Sequence, residues 1–207
     1  MPSPLHDSVG LMSANLDYLY RLSSEEDKRL GKAWYPAAHR IIIDWAETYE
    51  RSIANVACIV AALSPQCEWT RNLIIADDIL AGRQPSVGGA LGANVRKAES
   101  IRDVRASDIT LFFPHGPKVA SFAANLAGDW SFVTVDSHAY QAAIDDCTVS
   151  FCLKLSAYTA IATAYTIAAR RNRTLPAHFQ AVLWHTWKRL YPAARKRSLI
   201  RSKRYAH

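Results

Sequence analysis

Gly116-Pro117-Lys118-Val119-Ala120 and Val135-Asp136-Ser137-His138 stand eighteen residues apart, counted from Lys118 to Asp136. Each segment is read as the start of a helix. A Gly-Pro turn that opens a helix points backbone N–H groups outward, and the helix dipole adds partial positive charge. That is a cradle for an anion such as phosphate. A lysine placed there touches phosphate or, if desolvated, becomes a nucleophilic amine. It is also what an ordinary surface lysine looks like. Asp136 reads first as a helix N-cap. Facing a cleft, the same carboxylate would stabilise developing positive charge or take up a proton. Val133-Thr134-Val135 is β-like but too short to found a sheet, and it would hold Asp136 rigidly. His138 reads as a structural hydrogen-bonding residue.

Outward from this pair, apolar periodicity predicts helices almost throughout. Pro36 suits a first helical turn, with Ile41, Ile42, Trp45 and Tyr49 at helical spacing behind it. Residues 53–63 are apolar nearly all round, which marks a central helix stopped by Ser64-Pro65. Leu73, Ala76, Ile79 and Leu80 stripe the next, and Gly82 ends it. Residues 82–93 read as a loop, and a short helix runs from about Val95 to Ile101. Val119, Phe122, Ala123 and Leu126 stripe a helix ended by Gly128-Asp129. Another runs from Ala139 to Ile144. Leu155 to Ala169 forms a long one, and Pro176 opens the last, with Trp187 on its core stripe.

An all-α, two-lobed domain over residues 1–194 follows, with the interlobe cleft as the default site and 195–207 as a basic tail. The 207 residues suffice for a sizeable core. No apolar run approaches a membrane span, and no basic-then-apolar leader is evident, so a cytoplasmic monomer with no membrane partner is expected. Cys58, Cys67, Cys147 and Cys152 lack paired metal spacing and read as structural thiols. No metal and no cofactor is expected. The formal charge is +7, yet Lys188 to His207 holds eight Lys or Arg and no acid. Without that stretch the chain has 17 basic against 18 acidic residues. The basic character is therefore C-terminal. Arg195-Lys196-Arg197 suits a phosphate backbone, although a frayed, solvated terminus looks the same.

Gln66 follows the central helix in Leu63-Ser64-Pro65-Gln66. An amide on a protruding turn could fill a gap in a base stack, and it is equally a solvent-facing loop residue. Trp69, Tyr140, Trp184 and Trp187 could stack on a base, although aromatic residues more often fill cores.

These residues resemble the helix-hairpin-helix DNA glycosylase superfamily, especially its endonuclease-III-like branch. Four landmarks occur in the family's order. Ala62-Leu63-Ser64-Pro65-Gln66 is similar to a leucine-serine-x-glutamine turn whose glutamine wedges into the duplex. Val95-Arg96-Lys97-Ala98-Glu99-Ser100-Ile101 resembles a lysine-alanine-x-x-isoleucine helix, with Lys97 at its lysine. Gly116 to Ala120 matches the second half of the hairpin and puts Lys118 on the Schiff-base lysine of bifunctional members. Val135 to His138 matches the valine-aspartate-x-histidine carrying the essential carboxylate. The resemblance spans roughly residues 53–145. It departs from the family at Pro114, which replaces the hairpin's first glycine, and in lacking an iron–sulfur cysteine cluster. Ala33-Trp34-Tyr35-Pro36-Ala37-Ala38-His39, Trp69 and Asn72 look instead like proteins of actinobacteria and bacteriophages.

The resemblance implies an enzyme of a bacterial or phage-infected cell that binds double-stranded DNA and flips a damaged or modified base. Asp136 would promote loss of the base and Lys118 would form an imine. Gln66, Lys97, His115, Gly116, Arg195, Lys196 and Arg197 would contact DNA. Trp69, Asn72, His138 and Tyr140 are candidate walls of the base pocket. The rival implication is a thymidine-hypermodification transferase that joins a free amino acid to an activated methyl group on uracil in DNA. There Asp136 would deprotonate the amine and Lys118 would bind the leaving phosphate. A third class is a DNA-binding module with no chemistry.

Overall fold

The computed structural model describes residues 4–104, 116–149 and 154–192. The described residues are helical, without a strand, as the periodicity predicts. In chain order the helices are α1 (Pro4–Arg21), α2 (Glu25–Thr48), α3 (Ile53–Leu63), α4 (Trp69–Leu80), α5 (Gly92–Arg102), α6 (Pro117–Leu126), α7 (Ser137–Ile144), α8 (Leu155–Arg171) and α9 (Pro176–Leu190). None is long and apolar enough to cross a membrane. The chain divides into two compact units. Unit 1 is Met1–Tyr35 with Val133–His207, and unit 2 is Pro36–Phe132.

The expected start of α2 at Pro36 is corrected. The helix begins at Glu25, and Pro36 lies inside it, at the boundary between the units. A reciprocal cap sets the true start. The Ser24 N–H donates to Asp27 Oδ2 (2.9 Å), and the Asp27 N–H donates to Ser24 Oγ (3.0 Å). Pro36 removes the N–H that would bond the Lys32 carbonyl and crowds that carbonyl, so the helix is weakest where one unit gives way to the other.

Unit 1 closes around Leu16, Val133, Val135, Ile161, Tyr165, Phe179, Leu183 and Trp187, all at most 3% exposed. Gly31 lets α2 lie against α9, because a Cβ there would overlap the Val182 backbone. Arg189 near the end of α9 donates to Asp27 Oδ2 from Nε (2.9 Å) and Nη2 (2.7 Å), tying that end to the start of α2. Asp17 on α1 accepts from Arg171 (2.9 Å) and Asn172 (2.7 Å) at the end of α8.

Unit 2 is built on α3, whose residues from Asn55 to Leu63 are all buried. The buried Val56, Ile59, Val60 and Leu63 side chains each contribute roughly 1.5–3 kcal/mol by leaving water. Helices α4, α5 and α6 pack against it. Buried Asn55 donates from Nδ2 to the carbonyls of Ile101 (2.7 Å) and Val104 (2.5 Å), satisfying orphan acceptors at the end of α5. Asp78 on α4 anchors the following loop, accepting from the Ser86 N–H (2.7 Å), the Ser86 hydroxyl (2.6 Å) and Arg83 Nε (3.0 Å). His39 Nδ1 stands 2.8 Å from the Leu126 carbonyl at the end of α6. Gly128 follows with φ +103°, and a Cβ there would press into the His39 ring at 2.9 Å.

Candidate functional site

In unit 1, tyrosines hold the segment that leads into Asp136. The Tyr158 hydroxyl donates to the Val133 carbonyl (2.7 Å) and accepts from the Val135 N–H (3.4 Å). The Tyr35 hydroxyl lies 3.2 Å from Thr134 Oγ1 and 3.4 Å from Gln180 Oε1. Val133, Thr134 and Val135 are thereby held and buried, and Asp136 follows in extended backbone at the N-cap of α7. Its Oδ1 accepts from the Ala139 N–H at 2.8 Å. The cap reading of Asp136 is thus correct, and the carboxylate is half-buried. Beneath it the Tyr165 hydroxyl donates to the Ala139 carbonyl (3.2 Å). Burial, reinforced by the Asp136 charge, pushes the Tyr165 phenol well above its ordinary pKa, so it remains a donor.

His138 and Tyr140 lie on opposite sides of α7, since two residues turn a helix by about 200°. The His138 ring meets Trp184 of α9 edge-on, centroids 6.3 Å apart. Lys188 Nζ sits 3.8 Å over the Trp184 ring. Tyr140 instead lines an apolar groove of about 350 Å³ with Leu11, Met12, Ala143, Ile144 and Ile161.

In unit 2, Pro117 occupies the first turn of α6, Gly116 is its N-cap without a side-chain bond, and Lys118 follows half-buried. Gly116 has φ −117°, so backbone handedness does not require glycine there. Gln66 is exposed with φ +60°, a left-handed backbone that non-glycine residues adopt at a cost. Its turn is closed by the Cys67 N–H donating to the Ser64 carbonyl (3.2 Å). Trp69 starts α4 half-buried. Asn72 is 1% exposed, and its Nδ2 donates to the Val60 carbonyl (3.0 Å), tying α4 to α3. That spends its donor, while its Oδ1 has no hydrogen-bond partner among the described residues. Lys97 is exposed on α5. Burial pushes the Cys58 thiol up to about 12 against the weaker pull of Lys97, so Cys58 is an inert core thiol. His115, Arg195, Lys196, Arg197 and Cys152 lie outside the described residues. Among the described residues no cluster of His, Cys, Asp or Glu could hold a metal.

Lys118 thus belongs to unit 2 and Asp136 to unit 1. Sequence spacing alone misses Tyr35 and Tyr158. Their partners lie 99 and 25 residues away, and only the run of aromatic residues around Tyr35 hints at a role.

No curated protein and no solved structure matches the chain. One family model, described as a family of unknown function (DUF7178), matches residues 6–190. The match takes in nearly all of α1 and every later helix to the end of α9, including the turn at Gln66, Lys118 and the Asp136 cap. The chain belongs to this family of unknown function, DUF7178.

Proposed function

We propose that this chain is a DNA-base-acting enzyme that flips a modified or damaged base, of the pyrimidine class, and cleaves its N-glycosidic bond. The observation that carries the reading is Gln66. A non-glycine residue stands exposed in left-handed backbone, three residues past a helix buried from Asn55 to Leu63 and inside the leucine-serine-x-glutamine turn. Such backbone costs on the order of 1–3 kcal/mol; Glu50, Asp145 and Arg173 adopt it after helices as well, and Gln66 differs from them in standing inside that turn. An amide in that position can fill the space left by an extruded base.

The fold that goes with this reading is the two-lobed, helix-hairpin-helix glycosylase type. Asp136 is suited to its part by the tyrosine-held backbone behind it, which fixes the carboxylate before substrate arrives. As the base departs with the bonding electrons and takes a proton from solvent, the Asp136 charge supports the positive charge on the sugar. The Lys118 amine then bonds to the anomeric carbon and gives one proton to solvent. Ring opening yields an imine, and the ring oxygen takes a proton from solvent. No cofactor enters this scheme, and duplex DNA is the partner.

Borohydride tests the covalent step, since it reduces an imine to a stable amine. Wild-type protein incubated with duplexes carrying modified pyrimidines should yield a covalent protein–DNA adduct, and Lys118→Ala should not. Absence of any adduct from wild type, with a nucleoside of increased mass in the DNA, would replace this reading with the amino-acid transferase.

A further inference from the structure

The groove that Tyr140 lines belongs to a surface of unit 1 built from uncharged sequence. Residues 8–16 in α1, 137–144 in α7 and 155–169 in α8 include no Asp, Glu, Lys or Arg, in a chain that is 21% charged. These three stretches supply its walls, among them Leu11, Met12, Ile144, Ala160 and Ile161. Asn15 Nδ2 donates to the Ala143 carbonyl at 3.0 Å, which ties α1 to the end of α7 and gives the groove fixed walls. Even the exposed Thr159 and Thr163 of α8 spend their hydroxyls on the helix, donating to the Leu155 (3.1 Å) and Thr159 (2.8 Å) carbonyls. Leu11 stands 66% exposed on the lip, and Leu155 at the start of α8 is 68% exposed. Charges resume beyond the two ends of α8. Asp145, Asp146 and Lys154 precede it, two acids and one base. At its other end are Arg170 and Arg173, with Arg21 at the end of α1. Arg171 there is paired with Asp17 at 2.9 Å. One end is thus weakly acidic and the other strongly basic.

We propose that this surface joins two copies of the chain about a two-fold axis, with α8 of one copy antiparallel to α8 of the other. Each copy's Leu11 enters the groove of its partner. The surface suits itself in shape, since an apolar projection and an apolar recess stand side by side and a two-fold contact engages both twice. A different protein would meet only one of them with its own counterpart. The surface also suits itself in charge. Its centre holds none, so symmetry sets no like charges against each other there, and charge-depleted apolar centres are what subunit interfaces have. The ends decide the direction. Parallel copies would place the three arginines of one against those of the other, whereas antiparallel copies place them against Asp145 and Asp146. The contact replaces the expected monomer by a dimer, and it holds whichever reaction the chain performs.

Analytical ultracentrifugation of the full chain tests this, at concentrations up to about 100 μM, since interfaces of ordinary size hold in the micromolar range or tighter. The 23.0 kDa chain should show a reversible monomer–dimer equilibrium. Leu11→Asp should weaken the dimer by at least about 100-fold, because symmetry removes the contact twice and puts a charge into each groove. Leu11→Met, which nearly conserves volume, should keep it. Circular dichroism melts establish that the variants fold. Ile74→Asp changes an exposed apolar residue of α4 in unit 2 and should leave the dimer as it is. Arg170→Glu with Arg173→Glu should weaken the dimer, and Asp145→Lys added to the same chain should restore part of the loss, because the two ends meet across the axis. A chain that stays monomeric at the highest concentration, a dimer indifferent to Leu11→Asp, or a dimer tightened by the two glutamates would overturn the proposal.

Discussion

Tyr158 and Val133 are joined by a 2.7 Å hydrogen bond from the phenol to the carbonyl, and the same oxygen accepts from the Val135 N–H at 3.4 Å. One side chain therefore satisfies two buried backbone groups in a segment with no sheet to pair with. In a helical protein a short buried run outside the helices has few other ways to meet its hydrogen bonds. The run ends on Asp136, so the hydroxyl on α8 also sets where that carboxylate stands.

Tyr158→Phe should lower stability by about 1–3 kcal/mol, because the Val133 carbonyl is left buried without its donor. Base release should fall by more than the melt accounts for, since Asp136 loses its fixed approach. Urea melts and single-turnover kinetics, both at a temperature where the variant is fully folded, separate the two effects. Unchanged kinetics would limit Tyr158 to a structural part.

Gln66→Gly should raise stability by up to about 1 kcal/mol, since glycine adopts the left-handed backbone freely and repays only part of that gain as lost chain entropy. The same change should weaken binding to duplexes containing a modified base. Gln66→Ala keeps the strain and removes the amide, so it should bind weakly without the gain in stability. If both variants bind as wild type does, the left-handed glutamine is a feature of the turn alone.

Acid should loosen the loop after α4 through Asp78. The Ser86 hydroxyl and N–H, with Arg83, hold its carboxyl below the ordinary carboxylate value, and its side chain is 8% exposed. The unfolded chain therefore binds the proton more readily than the native one. The stabilisation is complete above the ordinary pKa of about 4 and disappears as pH falls through the lowered native value. Asp78→Asn should show a flatter acid limb in melts taken over about pH 2–6. Hydrogen exchange at the Ser86 amide should quicken over the same range in wild type.

Much of the helix plan is legible because local pattern controls it. Residues 53–63 are apolar nearly all round and form α3 with those bounds, and Pro176 opens α9 as its position suggests. Asp136 caps α7 because a carboxylate before a helix has an N–H to accept from. The misreading at α2 has an equally local origin. Proline favours a first turn, and that preference hid the Ser24–Asp27 cap, which begins twelve residues upstream of Pro36. α1 has an apolar stripe through Leu16 and Leu19, which periodicity could have found. Tyr158, Asn55 and Asp78 are different. Each acts on backbone or side chains brought near by folding, and nothing in their own neighbourhoods marks them. Asn72, a candidate pocket residue, also donates to the Val60 carbonyl of α3, a tie that its own stretch of sequence does not reveal.

The central claim is that base release is the reaction and that Asp136 supports it. Mass spectrometry of products from duplexes carrying assorted modified pyrimidines tests this most directly, with wild type and Asp136→Asn side by side. The substitution removes charge and little volume, and an asparagine oxygen still caps a helix. Wild type should liberate a free base from at least one duplex. Asp136→Asn should bind that duplex with similar affinity and release the base more slowly by a factor of about 10² to 10⁴. A wild-type protein that binds these duplexes and frees no base from any of them, or an Asp136→Asn variant that is folded and fully active, would contradict the account.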